Sequence, residues 1–387
     1  MRILIFSPVF PPAIGGPSTQ ALNLCKALVK RGETPIVVTY GGGEQSLDEK
    51  LGFKVYGFRT VYTSTQLDKA IRWIVFPFYI SKLLRTEKID ILHCNSASAL
   101  SFVAAFVARV KGVPRVLKFA GDWVWETLST HRLKKAKDFK EMYTSSLLAR
   151  FMTVVERYGV NLFDLIWTPS EFRRQNIQDL LGTTEKTVII PNCLLLSSGG
   201  SHARSLDKVM VVSANRFIPH KRVSLIVESF SKMDIPNSEL VLIGGGSPEE
   251  VEKVKRAIAA STISERVRLT GVLSSEEVYE YFSKASFYVS ASLEEGFPNV
   301  FIEAMNYGLP IIAMDKGGSK ELVVDNVTGF MLEPEDTEGL VETMRKLSSD
   351  KDLLYRMSDA AYERSKNFNL EYRIEEFLSM YRKLLKK

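Results

Sequence analysis

Short, unbroken apolar runs alternate along this chain with stretches whose apolar positions recur at helical spacing. Ile3-Leu4-Ile5-Phe6 is the first run, without polar alternation, as a strand buried on both faces requires. It feeds Pro11-Pro12-Ala13-Ile14-Gly15-Gly16-Pro17-Ser18, after which Ala21, Leu22, Leu24, Cys25 and Leu28 return at helical spacing. Gly32 stops that helix, and residues 34–39 form the next strand. The chain therefore opens with a βαβ unit whose first turn is glycine-rich. Further strands are predicted at 89–93, 115–119, 164–167 and 187–190, which complete a first parallel sheet.

A Ser/Gly-rich segment at 197–201 reads as a linker. A second series of runs follows at 208–213, 239–243, 267–271, 287–290, 310–314 and 329–332. Helices and glycine turns separate them, notably Gly244-Gly245-Gly246 and Gly317-Gly318-Ser319-Lys320-Glu321. The tail, with Ile374, Phe377, Leu378, Tyr381, Leu384 and Leu385, predicts a terminal helix returning to the first domain. The class is α/β, with domains at 1–195 and 205–365 and a C-terminal helix within 366–387.

Length and composition agree with two soluble domains: 387 residues, 45% hydrophobic, 25% charged. Charge is uneven. Residues 1–190 hold 26 Lys and Arg against 16 Asp and Glu, whereas 191–387 hold 25 against 29. The basic half suits anionic lipid or phosphorylated substrates, and no nucleic-acid motif accompanies it. Residues 63–88 interleave Trp73, Phe76, Phe78 and Tyr79 with Lys69, Arg72, Lys82, Arg85 and Lys88. That pattern fits a membrane-surface helix, and better a core helix with a solvated basic face. Residues 127–161 read as helical and basic, with Arg132, Lys134, Lys135, Lys137, Lys140, Arg150 and Arg157. Cys25, Cys94 and Cys193 read as buried free thiols, and neither they nor the four histidines have metal-ligand spacing. The apolar run 97–110 is too short to span a bilayer, so the expectation is a cytoplasmic protein with peripheral membrane contact at most.

Candidate chemistry lies beyond the carboxyl ends of strands. Glu295 falls in a loop punctuated by Gly296 and Pro298, and Glu303 falls eight residues on, in a helix that Asn299 would cap and Gly308 end. Between them the N–H groups of Phe297, Asn299, Val300 and Phe301 offer an anion site. Arg216 and Lys221 share an earlier strand-to-helix loop, where an anion would also bind. Gly15 and Gly16 permit a close backbone approach. Asp122 and Glu126, with Trp123 and Trp125, follow the strand at 115–119. Each signal alone has an ordinary reading, as a capped helix, solvated bases, a tight turn or an aromatic cluster.

Together and in this order, the glycine pair, Arg216-x4-Lys221, Glu295-x7-Glu303 and Gly317-Gly318-x-x-Glu321 resemble glycosyltransferase family 4. The resemblance implies a GT-B fold, two Rossmann-like domains facing across a cleft, and retaining transfer from a nucleoside diphosphate sugar without a metal or other cofactor. On that resemblance Arg216 and Lys221 hold the diphosphate, Glu295 the sugar hydroxyls and Glu303 the ribose. Phe297, Asn299 and Val300 meet sugar and phosphate, Gly15 and Gly16 close over the donor, and Gly271 and Val272 meet the base. Asp122 would serve catalysis, with Trp123, Trp125 and Glu126 shaping the acceptor pocket. Many relatives carry a histidine where this chain has Gly121, and His93-Cys94-Asn95 stands where His-x-His is common. The partners implied are a nucleotide sugar and a saccharide or lipid-linked acceptor, with anionic membrane contact through the N-terminal domain. A nucleotide-sugar epimerase and a non-catalytic sugar-nucleotide-binding subunit are the alternative readings.

Overall fold

A computed structural model describes the chain except residues 14, 41–45, 49–50, 59–65, 131–138, 197–198, 200–207 and 387. It divides into two compact units, unit 1 with residues 1–195 and 370–387 and unit 2 with residues 196–369.

Unit 1 runs β1 (Arg2–Phe6), α1 (Gly16–Lys30), β2 (Thr34–Tyr40), β3 (Ser46–Asp48), β4 (Phe53–Phe58), α2 (Gln66–Thr86), β5 (Ile91–Cys94) and α3 (Ala99–Val110). It continues through β6 (Arg115–Lys118), α4 (Trp123–Thr130), α5 (Phe139–Thr144), α6 (Leu147–Asn161), β7 (Leu165–Thr168), α7 (Glu171–Leu181) and β8 (Thr187–Ile189). The sheet order is β3-β4-β2-β1-β5-β6-β7-β8, with only β3 antiparallel. Alternate side chains of β1 enter opposite cores. Leu4 and Phe6 join α2, α3 and α6, while Ile3 and Ile5 join α1 and the C-terminal helix.

Unit 2 runs β9 (Val209–Ala214), α8 (Val223–Met233), β10 (Ser238–Ile243), α9 (Pro248–Ala260), β11 (Val267–Gly271), α10 (Ser275–Lys284) and β12 (Phe287–Ser290). Then come α11 (Asn299–Asn306), β13 (Ile311–Met314), α12 (Ser319–Leu322), β14 (Gly329–Leu332), α13 (Thr337–Ser349) and α14 (Lys351–Ser365). Its wholly parallel sheet has the order β11-β10-β9-β12-β13-β14. The last helix, α15 (Leu370–Leu385), belongs to unit 1, where Leu370 N–H donates to Leu194 O at 2.8 Å.

Several boundaries differ from the sequence reading. The segment 127–161 is not one helix: α4, α5 and α6 divide it, and Ser146 Oγ caps α6 by accepting from Ala149 N–H at 3.1 Å. Arg132, Lys134, Lys135 and Lys137 lie outside the described residues, as do Ser197, Ser198, Gly200 and Ser201 of the linker. The strand expected at 89–93 is shifted to β5, because Lys88 takes a left-handed φ of 48° that ends the preceding segment. No helix among the described residues is long and apolar enough to cross a membrane.

Candidate active site

In each sheet the strand order reverses once, between β1 and β5 in unit 1 and between β9 and β12 in unit 2. Loops leaving the carboxyl ends of such a strand pair splay apart and open a crevice for ligands. In unit 2 the loop after β9 carries Arg216 and Lys221, and the loop after β12 carries Glu295. The reversal thus brings together residues far apart in sequence.

Lys221 donates to Glu295 Oε1, with side-chain exposures of 13% and 9%. The pairing is held by the backbone around it. Leu293 N–H donates to His220 O at 2.8 Å, and Arg222 donates through Nε to Ala291 O at 2.8 Å and through Nη2 to Pro334 O at 2.7 Å. Arg222 does this from a left-handed backbone, φ 47°, at the start of α8. Arg216 is exposed, and its guanidinium makes no hydrogen bond or ion pair among the described residues.

Glycines let three more loops close on this pair. A Cβ on Gly317, φ 71°, would fall 2.1 Å from Glu295 O, and one on Gly318 would fall 2.1 Å from Gly296 O. Gly318 N–H donates to Glu295 O at 2.7 Å, so the Gly-Gly turn is a backbone clamp on the glutamate loop. A Cβ on Gly244 would fall 1.8 Å from Asn215 O and one on Gly246 would fall 2.1 Å from Phe217 O, both on the arginine loop. Gly271, φ 78°, accepts from Gly244 N–H at 2.8 Å, and Val272 beside it is exposed.

α11 begins one residue earlier than Asn299 as a cap would place it: Pro298 is the N-cap and Asn299 the first helical residue. Phe301 N–H donates to Pro298 O at 3.1 Å, so it is not among the donors left for an anion. Tyr307 and Gly308, φ 66°, end the helix. Phe297 and Glu295 are buried, and Glu303 is partly so. Burial pushes the Glu303 carboxyl up to about 7, against a hydrogen bond with Tyr279 that lowers it. Tyr279 stacks on Tyr307 with ring centroids 5.5 Å apart. Tyr288, buried in β12, donates to Ala214 O at 2.9 Å; burial foremost, then the charges of Glu295 and Glu303, holds its hydroxyl protonated. Tyr279 and Tyr288 escape a reading by residue type, because aromatics at those positions look like core.

In unit 1, Gly15 caps α1 with φ 154°, a conformation other residues rarely adopt, and Gly16 is the first residue of that helix. Asn95, after β5, donates to Ser7 Oγ at 3.2 Å and to Pro17 O at 3.0 Å, tying the two loops at the strand reversal. His93 does not reach this loop. It is fully buried beside Tyr381 and Trp167, and burial foremost, then Lys118, depresses it to about 3. Lys118, unremarked in sequence, is buried with its ammonium 4.4 Å from the Trp167 ring centre and burial lowers it to about 7.

Asp122 departs from the expectation that it meets a substrate. It is buried, with Oδ1 accepting from Trp125 N–H at 2.7 Å and Oδ2 from the Tyr143 hydroxyl. Glu156 reaches in from α6 to accept from Trp123 N–H at 2.8 Å and Val124 N–H at 3.2 Å. Two carboxylates therefore hold the start of α4, and burial first, then Asp122, raises Glu156. Trp125 lies in the core and Trp123 packs edge-on to Phe102, so the aromatic-cluster reading fits both. Glu126 is exposed, and its Oε1 lies 1.9 Å from where a Cβ on Gly121 would stand: its carboxylate covers the glycine.

The family described as Glycosyl transferases group 1 matches residues 200–364, and Glycosyltransferase Family 4 matches residues 14–196. The chain belongs to the GT4-type glycosyltransferases of GT-B fold. This glycosyltransferase is 25% identical over 391 residues to the sulfoquinovosyl transferase SQD2 of Arabidopsis thaliana, covering 95% of this chain and 71% of the other. It is 23% identical over 316 residues to an Escherichia coli UDP-Gal:alpha-D-GlcNAc-diphosphoundecaprenol alpha-1,3-galactosyltransferase, covering 78% and 77%. Among solved structures, Anabaena HepE in complex with UDP and glucose shares the fold with a TM-score of 0.76 at 19% identity, covering 98% and 100%.

Proposed function

We propose that this glycosyltransferase moves a hexose or N-acetylhexosamine, with retention, from a nucleoside diphosphate sugar to an acceptor hydroxyl, without a metal. The observation that carries the reading is the pairing of Lys221 with Glu295 at the strand reversal of unit 2, beside the start of α11, with Arg216 exposed in the same loop as Lys221. Arg216 takes the diphosphate and, with Lys221, offsets charge developing as the nucleotide leaves; fixed cations in a partly dry site do this without reorganising. Glu295, aimed by Lys221, accepts from sugar hydroxyls, and the N–H groups near Phe297, Asn299 and Val300 meet sugar and phosphate. Glu303, ionised, accepts from the ribose, and the base rests near Gly271 and Val272. Gly15 and Gly16, at the start of α1, leave room for a close backbone approach to a ligand. The acceptor oxygen bonds to the anomeric carbon on the face that the nucleotide leaves, and its proton passes to the departing phosphate oxygen.

Asp122 acts as a positioning residue, fixing the start of α4, while Glu126 meets the acceptor. A saccharide or lipid-linked saccharide is the acceptor class, for which the diphosphoundecaprenol in the name of the E. coli relative gives support. The work then lies in cell-surface glycan, polysaccharide or glycolipid synthesis, on the cytoplasmic face of an anionic membrane.

The test is a thermal-shift and hydrolysis screen against UDP-, GDP- and ADP-sugars, with and without chelator. Near a hundred times its dissociation constant, a true donor stabilises by about 2.7 kcal/mol. A shift with one donor, lost in Glu295→Ala and Arg216→Ala, is the expected result. No shift with any donor would remove the assignment.

A further inference from the structure

α6 has two unlike faces. The inner one, with Met152, Thr153, Glu156 and Val160, is buried in unit 1. The outer one carries Leu147, Phe151, Val154 and Tyr158, which recur every three or four residues and so align as one stripe. Their exposures are 84%, 67%, 51% and 74%. Single exposed apolar side chains are ordinary, but an aligned stripe marks a surface that something covers. The neighbouring helices extend it: α6 packs beside α3 and α3 beside α2, and these expose Phe106 and Val110, and Trp73 and Phe78, respectively.

The charges exposed on these three helices have one sign. Among the described residues, the exposed positions of α2, α3 and α6 include Lys82, Arg85, Arg109, Arg150 and Arg157, and no carboxylate. Exposed acids lie on the other helices packed against α6, Glu126 on α4, Glu141 on α5 and Asp179 on α7, whereas the acids of α6 itself and just after α2 are engaged. Glu156 holds the start of α4, and Glu87 is tied to Arg2, Lys54 and Tyr56. A second copy of the chain would set base against base across such a face, which disfavours self-association. An apolar surface whose own three helices expose cations and no described carboxylate matches a sheet of anionic headgroups over acyl chains.

We propose that unit 1 docks on an anionic lipid bilayer through the outer faces of α6, α3 and α2, with Phe151 and its stripe entering the headgroup boundary. The docking rests on the lipid-linked acceptor reading only for its purpose; the surface stands on its own residues. The full-length protein is tested by co-sedimentation with phosphatidylcholine vesicles, with and without phosphatidylglycerol, over a salt series. Binding should require phosphatidylglycerol and weaken with salt. All substituted side chains are exposed, so the variants should fold. Leu147→Ser/Phe151→Ser/Val154→Ser should abolish binding. Arg109→Gln/Arg150→Gln should lower the partition coefficient about 25-fold, at roughly fivefold per base. The donor-induced melting shift should be unchanged in both.

Equal vesicle binding by the wild type and the stripe variant overturns the proposal, as does no binding at all. So does a self-associated protein that the stripe variant renders monomeric without any vesicle binding. Absence of a donor shift together with stripe-dependent vesicle binding would defeat the transferase reading and leave the docking surface standing.

Discussion

If Glu303 accepts from the ribose as proposed, donor binding should depend on pH. Glu303 lies in α11, in hydrogen-bond contact with Tyr279, and burial lifts its carboxyl from 4.5 to about 7. Only the ionised carboxylate accepts from both ribose hydroxyls, so donor binding should demand loss of its proton. With a free-enzyme value near 7, affinity should be about tenfold weaker at pH 6 than at pH 8, since below that value it falls tenfold per pH unit. The sugar nucleotide adds no competing slope, because its diphosphate is a diester fully ionised at neutrality. The unliganded protein has the opposite trend. A raised native value means that the folded state holds more protons than the unfolded state between 4.5 and about 7. The stabilisation from this group is complete below the lower limit and lost as pH rises through about 7, with an upper bound of about 3 kcal/mol at about 1.4 kcal/mol per pH unit. Calorimetric titration of a donor across that range, beside urea unfolding of the free protein, reads both trends. Glu303→Gln should flatten both, with donor affinity weak throughout. Wild-type affinity that does not change with pH, or an undiminished slope in Glu303→Gln, would refute the argument.

Three further outcomes follow from the packing. Gly318→Ala sets a methyl carbon 2.1 Å from Gly296 O, and should cost about 2 kcal/mol from overpacking and weaken donor binding, whereas Gly182→Ala, with open space around it but a left-handed φ of 77°, should cost stability through the backbone and leave donor binding unchanged; unfolding and donor titration compare them. Lys221→Met leaves Glu295 buried without its cation and should cost about 3–5 kcal/mol, whereas the double variant with Glu295→Gln should recover much of that in urea unfolding. Tyr143→Phe removes a hydroxyl from Asp122 and should destabilise unit 1 by about 2 kcal/mol while leaving the donor melting shift intact, a separation that limited proteolysis can follow.

Most strands were legible because they are short apolar runs, as 239–243 and 311–314 are; β4 was missed, since Lys54 and Gly57 interrupt its run. The glutamate loop was legible because Gly296, Pro298 and Gly308 punctuate it. The ion pair of Lys221 with Glu295 was not, since it depends on strand order, which no local pattern encodes. Asp122 resembled a catalytic group because an acid after a strand is the same letter whether it meets a ligand or caps a helix. Its second partner, Tyr143, lies 21 residues on and is reached only through the fold. The exposed stripe of α6 went unread for a related reason: spacing can find apolar stripes but does not say which stripe meets the sheet.

The placement of α15 has a consequence for biosynthesis. Ile374, Phe377, Leu378 and Tyr381 complete the core that Ile3, Ile5 and Trp167 begin, yet unit 2 lies between them in the sequence. A nascent chain therefore exposes one greasy side of its first sheet while all of unit 2 is being made. Translation of the intervening residues takes about 10–40 s at roughly 5–20 residues per second. Unit 2, contiguous from 196 to 369, has all its parts first. The half begun earliest is finished last, and a ribosome that stalls short of residue 370 leaves a chain with a complete donor unit attached to an unfinished, aggregation-prone partner.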